Sequence, residues 1–171
     1  MLNTVYQLVR PRQFEVVFKD ITMDDKHVIV HPTHLSICNA DQRYYQGLRA
    51  EAVLKKKLPM ALIHEGIGRV IYDPTGHFEQ GTLVVMIPNT PVEQDEIIAE
   101  NYLRSSKFRA SGFDGFMQEY VSMEPDRLVV LPEDINLSVA AFTEIVSVSY
   151  HAIQRFLRFS HERRNVIGVW G

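Results

Sequence analysis

The segment IGRVIYDPTGHFEQGTLVVMI, residues 67–87, decides how most of this chain is interpreted. Two runs rich in β-branched residues, 67–72 and 82–87, stand on either side of the sequence Asp73-Pro74-Thr75-Gly76. Valine, isoleucine and tyrosine suit a pleated surface, whereas aspartate, proline and glycine favour a turn. The segment therefore predicts two strands joined by a turn.

The same pattern of short β-rich runs and turn residues continues on both sides of this segment. Short runs of β-branched and aromatic residues, separated by turn residues, predict further strands at 6–9, 14–18, 27–30, 116–123 and 128–131. Many short strands with proline and glycine at the corners are typical of a small barrel or sandwich.

The pattern changes near the end of the chain. Residues 139–157 contain neither glycine nor proline and predict a helix with Ser138 as its N-cap. Apolar residues recur there at helical spacing: Ala140, Ala141, Ile145, Val148, Ala152 and Phe156. The final run, VIGVWG at 166–171, reads as a buried strand ending in a glycine, which is how a Rossmann unit begins.

Composition narrows the function classes. A net charge of -3 gives no basic field that would attract nucleic acid or an anionic membrane. The sequence has no apolar run of about 18 residues and no secretory signal at its start. Its one cysteine cannot form an internal disulfide, so we expect a reducing cytoplasm.

Three residues carry metal-ligand chemistry when they are taken together. A single histidine is more often a surface or core residue than a ligand, and a lone cysteine such as Cys38 is more often a small buried apolar residue. The combination of Cys38 with the adjacent pair His64-Glu65 is more informative. Thiolate, imidazole and carboxylate are the ligands of a tetrahedral catalytic zinc that keeps one position open.

The spacing of these residues resembles that of a known family. Cys38-x-x-Asp41, followed by His64-Glu65-Gly66-x-Gly68, resembles the medium-chain zinc-dependent alcohol and polyol dehydrogenases, and the resemblance covers the whole chain. It implies a mainly β fold with flanking helices, a GroES-like, partly open β-barrel catalytic domain at 1–137. Residues 138–171 would then be a connecting helix and the first strand of a Rossmann coenzyme-binding domain, truncated there.

The resemblance also implies a set of zinc ligands. By position, Cys38 and His64 are the first two. Glu144 is the third, because the run TEIVSV around it is similar to the corresponding segment of sorbitol-type enzymes. Glu65 is the neighbouring carboxylate, able to ligate zinc itself or to exchange with water.

Two further roles follow from the resemblance. Asp41 would hold the His64 ring in its ligating tautomer. Ala40 stands where family members often have a small hydroxyl residue that relays the substrate proton. Proton transfer would then run through zinc-bound water, through Glu65, or through Tyr44 or Tyr45.

Two other departures from the family concern loops. The usual glycine before the His-Glu pair is Ile63 here. Residues 89–112, which in many members form a lobe with four cysteines around a structural zinc, contain no cysteine. We expect this lobe to be held by packing or charge pairing through Tyr102 and Phe108.

A narrower resemblance rests on longer runs. CNADQRYY at 38–45, KLPMALIHEG at 57–66, IPNTP at 87–91 and AENYL at 99–103 are similar to the ribulose-5-phosphate reductases that supply ribitol 5-phosphate for bacterial wall teichoic acid. The resemblance implies an NADPH-dependent reduction of D-ribulose 5-phosphate, with Gly171 at the start of the coenzyme loop. It also implies a homo-oligomer in the cytoplasm, coupled to a ribitol-phosphate cytidylyltransferase, with neither nucleic acid nor membrane as a partner.

A phosphorylated substrate needs a cation, and alternatives stay open for each candidate. Arg43 could face the cleft and bind phosphate through its planar fork, or it could pair with a surface carboxylate. Tyr45, like Tyr44, could line the pocket or lie in the core. The run Lys55-Lys56-Lys57 is interpreted as a solvated face.

Two other functions compete with reduction of a sugar phosphate. The chain could belong to a dehydrogenase of an unphosphorylated polyol such as sorbitol or xylitol. It could also be a non-catalytic barrel module, although such a scaffold has no need of a zinc ligand set.

Overall fold

The computed structural model describes residues 1–99, 102–158 and Gly168. Its strands are β1 (Leu2–Arg10), β2 (Gln13–Asp20), β3 (Val28–Ser36), β4 (Met60–Ala61), β5 (Glu65–Tyr72), β6 (Leu83–Met86), β7 (Asn89–Thr90), β8 (Lys107–Phe108), β9 (Val121–Met123) and β10 (Leu128–Val130). Its helices are α1 (Asn39–Tyr45), α2 (Glu51–Lys57), α3 (Leu137–Ala140) and α4 (Thr143–Arg158), and a 3-10 turn spans Pro125–Arg127.

The strands form three antiparallel sheets. The largest has the order β10-β6-β5-β3-β9, a second has the order β2-β1-β4, and β7 pairs with β8. The first two sheets meet where the backbone of β1 bonds to the segment before β9: the Tyr6 N–H donates to Met117 O (3.1 Å), and the Glu119 N–H donates to Thr4 O (2.8 Å). The predicted mainly β architecture, a partly open barrel with flanking helices, is confirmed.

The core is divided because β6 is buried on both faces. Alternate residues of a strand point to opposite sides of a sheet. Val84 and Met86 therefore pack into the barrel interior, whereas Leu83 and Val85 pack on the other side with Ala140 of α3. A third cluster fills the space between β1 and the segment after β4, and its buried members are Leu8, Tyr44, Met60, Leu62 and Ile63.

β3 and β5 approach each other very closely. A Cβ on Gly68 would lie 2.6 Å from the carbonyl oxygen of His31, so this position needs a residue without a side chain. β3 also continues past Pro32, where the sequence predicted its end at Val30. Proline is tolerated because β9 pairs with β3 only over 28–30 and because the register shifts between Pro32 and His34.

Other predicted boundaries need correction. In the run 116–123 only Val121–Met123 forms a strand, and Gln118 makes an isolated bridge to Val5. The predicted helix 139–157 is two helices, α3 and α4. The N-cap of α3 is Asn136, whose side chain accepts a hydrogen bond from the Val139 N–H (3.2 Å), and not Ser138.

The predicted strand 166–170 lies outside the described residues, apart from Gly168. Within the described residues, no helix is both long and apolar enough to cross a membrane.

Candidate metal centre

Cys38 is positioned by the start of a helix. β3 ends at Ser36, and Cys38 is the extended N-cap residue of α1. The third residue of that helix, Asp41, accepts hydrogen bonds through Oδ2 from the Cys38 backbone N–H and from its thiol, both at 3.1 Å. A helix N-terminus leaves N–H groups without intrahelical partners, and this carboxylate satisfies one of them.

His64 follows a residue with unusual backbone geometry. Ile63 has a φ of 68°, a left-handed conformation that is rare for a β-branched residue. Two hydrogen bonds hold it: its N–H donates to Asp41 Oδ1 (2.9 Å), and its carbonyl accepts from the Phe116 N–H (2.6 Å). The family's usual glycine would adopt this φ without strain, so the loop shape survives the substitution by isoleucine through these contacts.

The role of Asp41 differs from the sequence-based expectation. Its partners among the described residues are the backbone and thiol of Cys38 and the backbone of Ile63, and not the His64 ring. Asp41 is 3% exposed, and a buried carboxylate is stabilised when it accepts several hydrogen bonds. Asp41 therefore joins the two ligand-bearing loops to each other, and the expectation that it orients the imidazole is corrected.

Gly115 allows another segment to pass against the His64 loop. The Gly115 N–H donates to Ala61 O (2.8 Å), and the Met117 N–H donates to Leu62 O (3.1 Å). A Cβ on Gly115 would lie 2.2 Å from the carbonyl oxygen of Ile63, well inside any tolerable contact. The segment 115–117 thus supports the loop before His64 through backbone hydrogen bonds.

The candidate ligand atoms converge. Cys38 Sγ lies 3.9 Å from His64 Nε2, which lies 3.9 Å from Glu65 Oε1, and one ligand atom from each residue falls within 4.8 Å of the others. Ligand atoms bound about 2.0–2.3 Å from a tetrahedral zinc are separated by roughly 3.3–3.8 Å. The three groups need only small movements to reach that geometry, and their chemistry fits zinc.

Glu65 has a second partner that the sequence did not predict. It is 2% exposed, and its Oε2 accepts a short hydrogen bond from the Ser36 hydroxyl at the end of β3. The available signal was strand register, since Ser36 pairs directly with Glu65 across β3 and β5. Ser36 leaves Oε1 as the oxygen nearer to His64.

Glu144 lies near these groups without joining the compact set. It is half-buried in the first turn of α4. Burial raises the pKa of its carboxyl, the positive charge of His64 lowers it, and the negative charge of Glu65 raises it again, with a raised pKa as the net result. The carboxylates of Glu65 and Glu144 near the His64 imidazole concentrate negative charge, which a bound cation would compensate.

The thiol of Cys38 is neutral in the absence of a cation. Burial raises its pKa to about 11, and the Asp41 carboxylate beside it acts in the same direction through its hydrogen bond and charge. A thiolate forms here only when a positive charge compensates it, which is what a metal ion does.

The cysteine-free lobe is held by aromatic contacts, as the sequence predicted. The Phe108 ring packs edge-on against the His64 ring, with centroids 5.1 Å apart. The hydroxyl of Tyr102 and Nε2 of His151 in α4 lie within hydrogen-bond distance at 2.9 Å. The lobe therefore contacts both the candidate ligand His64 and the helix that carries Glu144.

Of the two tyrosines that follow Cys38, Tyr44 lies in the core and Tyr45 lies on the surface. Tyr44 is 6% exposed, packs in the cluster with Leu8 and Met60, and is covered by the Arg49 guanidinium, 4.8 Å from its ring centroid. This packing does not favour the proton-relay role expected of it. Tyr45 is exposed, stacks on Phe14 with centroids 5.9 Å apart, and lines a cavity of about 560 Å³ that also includes Asp41.

Arg43 is exposed in the last turn of α1, about 200° around the helix from the buried Asp41. Its side chain forms neither an ion pair nor a hydrogen bond with the part of the chain that the structure describes, so the alternative of a surface carboxylate partner is not observed there. Its contact with phosphate stays a prediction. Gly171, the expected coenzyme-loop residue, lies outside the described residues.

The family model for the alcohol dehydrogenase GroES-like domain matches residues 24–133, which contain Cys38, His64 and Glu65. The chain belongs to this family. The mainly β fold described above is that of this domain, and solved structures with the same fold also match the chain.

Three relatives illustrate the similarity. The ribulose-5-phosphate reductase of Bacillus spizizenii is 62% identical over 171 residues, which are 100% of this chain and 50% of that protein. The structure of Staphylococcus aureus TarJ in complex with NADPH matches with a TM-score of 0.74 and 50% identity, over 91% of this chain and 42% of that one. Escherichia coli L-idonate 5-dehydrogenase matches with a TM-score of 0.82 and 25% identity, over 91% and 47%.

The GroES-like chain spans about half the length of the curated relatives that it matches.

Proposed function

We propose that this GroES-like chain is the catalytic part of a zinc- and NADPH-dependent reductase that converts D-ribulose 5-phosphate into D-ribitol 5-phosphate. The observation that carries the proposal is the convergence of Cys38, His64 and Glu65 in a chain 62% identical, over its whole length, to a ribulose-5-phosphate reductase. The NADPH complex of TarJ, 50% identical, supports the choice of coenzyme.

Within this proposal, Cys38, His64 and Glu65 hold the zinc, with Glu144 facing them from α4. Bound zinc supplies a Lewis acid that polarises the substrate carbonyl and stabilises negative charge on its oxygen. NADPH supplies the hydride, and its site belongs to a coenzyme domain that we place from residue 138 onward.

The chain's own residues shape the proton path. Ala40 has no hydroxyl, and the Tyr44 hydroxyl belongs to a side chain packed in the core. Glu65 is a buried carboxylate within the ligand set, and the Ser36 hydroxyl donates a hydrogen bond to it. Reduction requires a proton to be delivered to the carbonyl oxygen of the substrate. Glu65 can carry that proton at Oε1 while the Ser36 hydroxyl holds Oε2, so we assign proton delivery to Glu65 and its positioning to Ser36.

The remaining parts of the proposal concern cellular context. We infer a homo-oligomer in the cytoplasm, where NADPH and a reduced cysteine ligand are both maintained. We also infer that its ribitol 5-phosphate feeds teichoic acid synthesis through a cytidylyltransferase.

Steady-state kinetics of the full-length protein with NADPH test this proposal. We expect turnover of D-ribulose 5-phosphate with a kcat/KM well above that of ribulose, xylulose or fructose. A preference for an unphosphorylated ketose would replace the proposal with a polyol dehydrogenase. Absence of turnover with all four, in protein that retains zinc, would instead favour a non-catalytic module.

A further inference from the structure

A cationic cavity lies beside the metal centre, on the lobe formed by residues 89–112. Its volume is about 710 Å³, and it is bounded by the end of α2, the lobe, β9 and the 3-10 turn. We call it the lobe cavity. Five cationic side chains line it against a single carboxylate, Glu124, and the five are Lys56, Lys57, Lys107, Arg109 and Arg127. Such a concentration of positive charge is unexpected in a chain of net charge -3.

Most of these cations form no ion pair with a carboxylate of the described residues. Arg127 pairs with Asp126 at 2.6 Å. By contrast, Lys56, Lys57, Lys107 and Arg109 form no ion pair with any carboxylate among residues 1–99 and 102–158. Cations gathered in one concave surface repel each other and raise the local concentration of anions.

Arg109 is held in place by carbonyl groups, and the nearby carboxylates of Asp114 and Glu124 attract its charge without forming an ion pair with it. Its guanidinium donates to Ser122 O (2.6 Å) and Asp114 O (3.4 Å), and it lies 5.4 Å from the centroid of the Phe113 ring. Its buried Nε has no hydrogen-bond partner among the described residues. Burial lowers the pKa of this guanidinium to about 10, which reflects the unfavourable removal of its charge from water.

The lysines fall into two kinds. The sequence predicted a solvated face for residues 55–57, which holds for Lys55, since it is paired with Glu51 on the surface of α2. Lys57 instead folds over Gly112 and donates to the carbonyl and hydroxyl oxygens of Ser111. Its ammonium group is thereby fixed at the cavity wall.

The cavity is connected to the metal centre through one ring. Phe108 lines the cavity and also packs against His64, with centroids 5.1 Å apart. Hydroxyl groups of Thr90, Ser111 and Ser122 add hydrogen-bond donors to the wall. Fixed cations, hydroxyl donors and a concave shape are the features that recognise a phosphate group.

We propose that the lobe cavity binds the phosphate group of a small phosphorylated molecule, with Lys57 and Arg109 as its fixed cations and Lys56 and Lys107 at its rim. The proposal stands on the charges and contacts of the cavity and does not depend on the proposed reaction. The phosphate can belong to the sugar phosphate substrate or to a separate phosphorylated ligand, and the chemistry of the site is the same for both.

The test measures binding of inorganic phosphate to the full-length protein by ³¹P NMR line broadening. The double substitution Lys56→Gln/Lys107→Gln removes two exposed cations without disturbing the core, and Lys55→Gln is the matched control on the same helix. We expect the double variant to bind phosphate roughly tenfold or more weakly, because two charge-assisted contacts are lost, and Lys55→Gln to bind as the wild type does. Equal phosphate binding by all three proteins, or none by the wild type, overturns the proposal.

Kinetics then distinguish the two sources of the phosphate. A rise in KM for ribulose 5-phosphate in the double variant, with no rise for ribulose, assigns the cavity to the substrate's own phosphate. Unchanged KM values with weakened phosphate binding assign it to a separate ligand. The phosphate-binding measurement requires no turnover, so it tests the lobe cavity even if the protein does not reduce ribulose 5-phosphate.

Discussion

The protonation of one side chain, Cys38, links the candidate metal centre to pH. Its thiol has a pKa raised to about 11 by burial and by Asp41, so the group carries a proton at neutral pH until a cation displaces it. Zinc binding therefore releases that proton, and the apparent affinity for zinc increases as the pH rises.

We predict that Cys38→Ser in the full-length protein loses most of its zinc and its activity, because a serine hydroxyl is a much poorer zinc ligand than a thiolate. Metal analysis by plasma mass spectrometry measures the zinc content. Among the carboxylates, Glu65→Gln should lower the zinc content more than Glu144→Gln, since only Glu65 belongs to the compact set. Stoichiometric zinc with normal turnover in Cys38→Ser would remove Cys38 from the site.

A second prediction at this scale concerns Arg43. If its exposed guanidinium contacts the substrate phosphate, Arg43→Ala should raise KM for ribulose 5-phosphate by roughly ten- to a hundredfold. Activity on unphosphorylated ribulose, measured in the same assay, serves as the control and should hardly change. An unchanged KM for both substrates would leave the lobe cavity as the better candidate, and an equal loss on both would mean that Arg43 is structural.

The sequence predicted which residues form the candidate metal centre, but it did not predict the hydrogen bonds that position them. Cys38, His64 and Glu65 could be recognised because their donor types and spacing are visible in one dimension. The partners of Asp41 could not, because they depend on the left-handed turn at Ile63. The hydrogen bond from Ser36 arises from strand register, and register is set by tertiary pairing.

At the level of elements, one carboxylate fastens a whole sheet. Asp114 accepts hydrogen bonds from Gln7 Nε2 of β1 (2.8 Å) and the Ala61 N–H of β4 (2.7 Å), and it pairs with Lys19 of β2. Every strand of the β2-β1-β4 sheet thus has a bond to this residue. Partial burial raises the pKa of Asp114, but the bonds from Lys19, Ala61 and Gln7 outweigh burial and lower the pKa overall.

We predict that Asp114→Ala lowers the free energy of unfolding by about 2–3 kcal/mol, because two partly buried donors lose their acceptor. Since the folded-state pKa is lowered, this stabilisation is present above the unfolded pKa of about 3.9 and is lost as the pH falls through the lower folded value. Urea unfolding should show the largest difference from wild type at about pH 7, and the difference should shrink progressively as the pH falls below about 4. Asp20→Ala, at the exposed end of β2, is the matched control.

An equal destabilisation by the Asp114 and Asp20 substitutions, or an effect of Asp114→Ala that does not change with pH, would contradict this account of the sheet.

Strands were predicted more successfully than the places where elements end. The runs 67–72 and 82–87 fell on β5 and β6 because a buried β-rich pattern was bounded by a clear turn. The continuation of β3 past Pro32 depends on a register shift and on where β9 stops pairing, which no local pattern reveals. The helix break between α3 and α4 lies where Ala140 and Ala141 are buried and the Thr143 hydroxyl donates a local hydrogen bond to the Ala140 carbonyl, and the apolar spacing of the sequence does not reveal it.

Considered as a whole, the chain leaves one helix partly uncovered. α4 packs on β5, yet large apolar side chains on its other faces are exposed: Ile145, Val146, Val148, Tyr150, Ile153 and Leu157. In the proposed reductase we expect the remainder of the coenzyme domain, which we place from residue 138 onward, to cover this surface. The sequence of the chain also lacks a Gly-x-Gly-x-x-Gly run for a dinucleotide pyrophosphate.

We therefore predict that residues 1–171 alone neither bind NADPH tightly nor reduce ribulose 5-phosphate, because the pyrophosphate site of a Rossmann domain is supplied elsewhere. Calorimetric titration of NADPH into the 171-residue chain, with the full-length protein as the positive control, measures this directly. Micromolar binding by the shorter chain would place coenzyme recognition within the GroES-like domain.

The bonds of Asp41 have a consequence for how the protein acquires its metal. They join the Cys38 turn to the His64 loop through protein groups, unlike a zinc finger, whose fold is assembled by the metal itself. A chelator should therefore strip the ion and leave an intact apoprotein with its ligands already in register. Reconstitution then needs only diffusion of zinc and loss of a thiol proton, so loading can follow folding at any later time in the life of the protein.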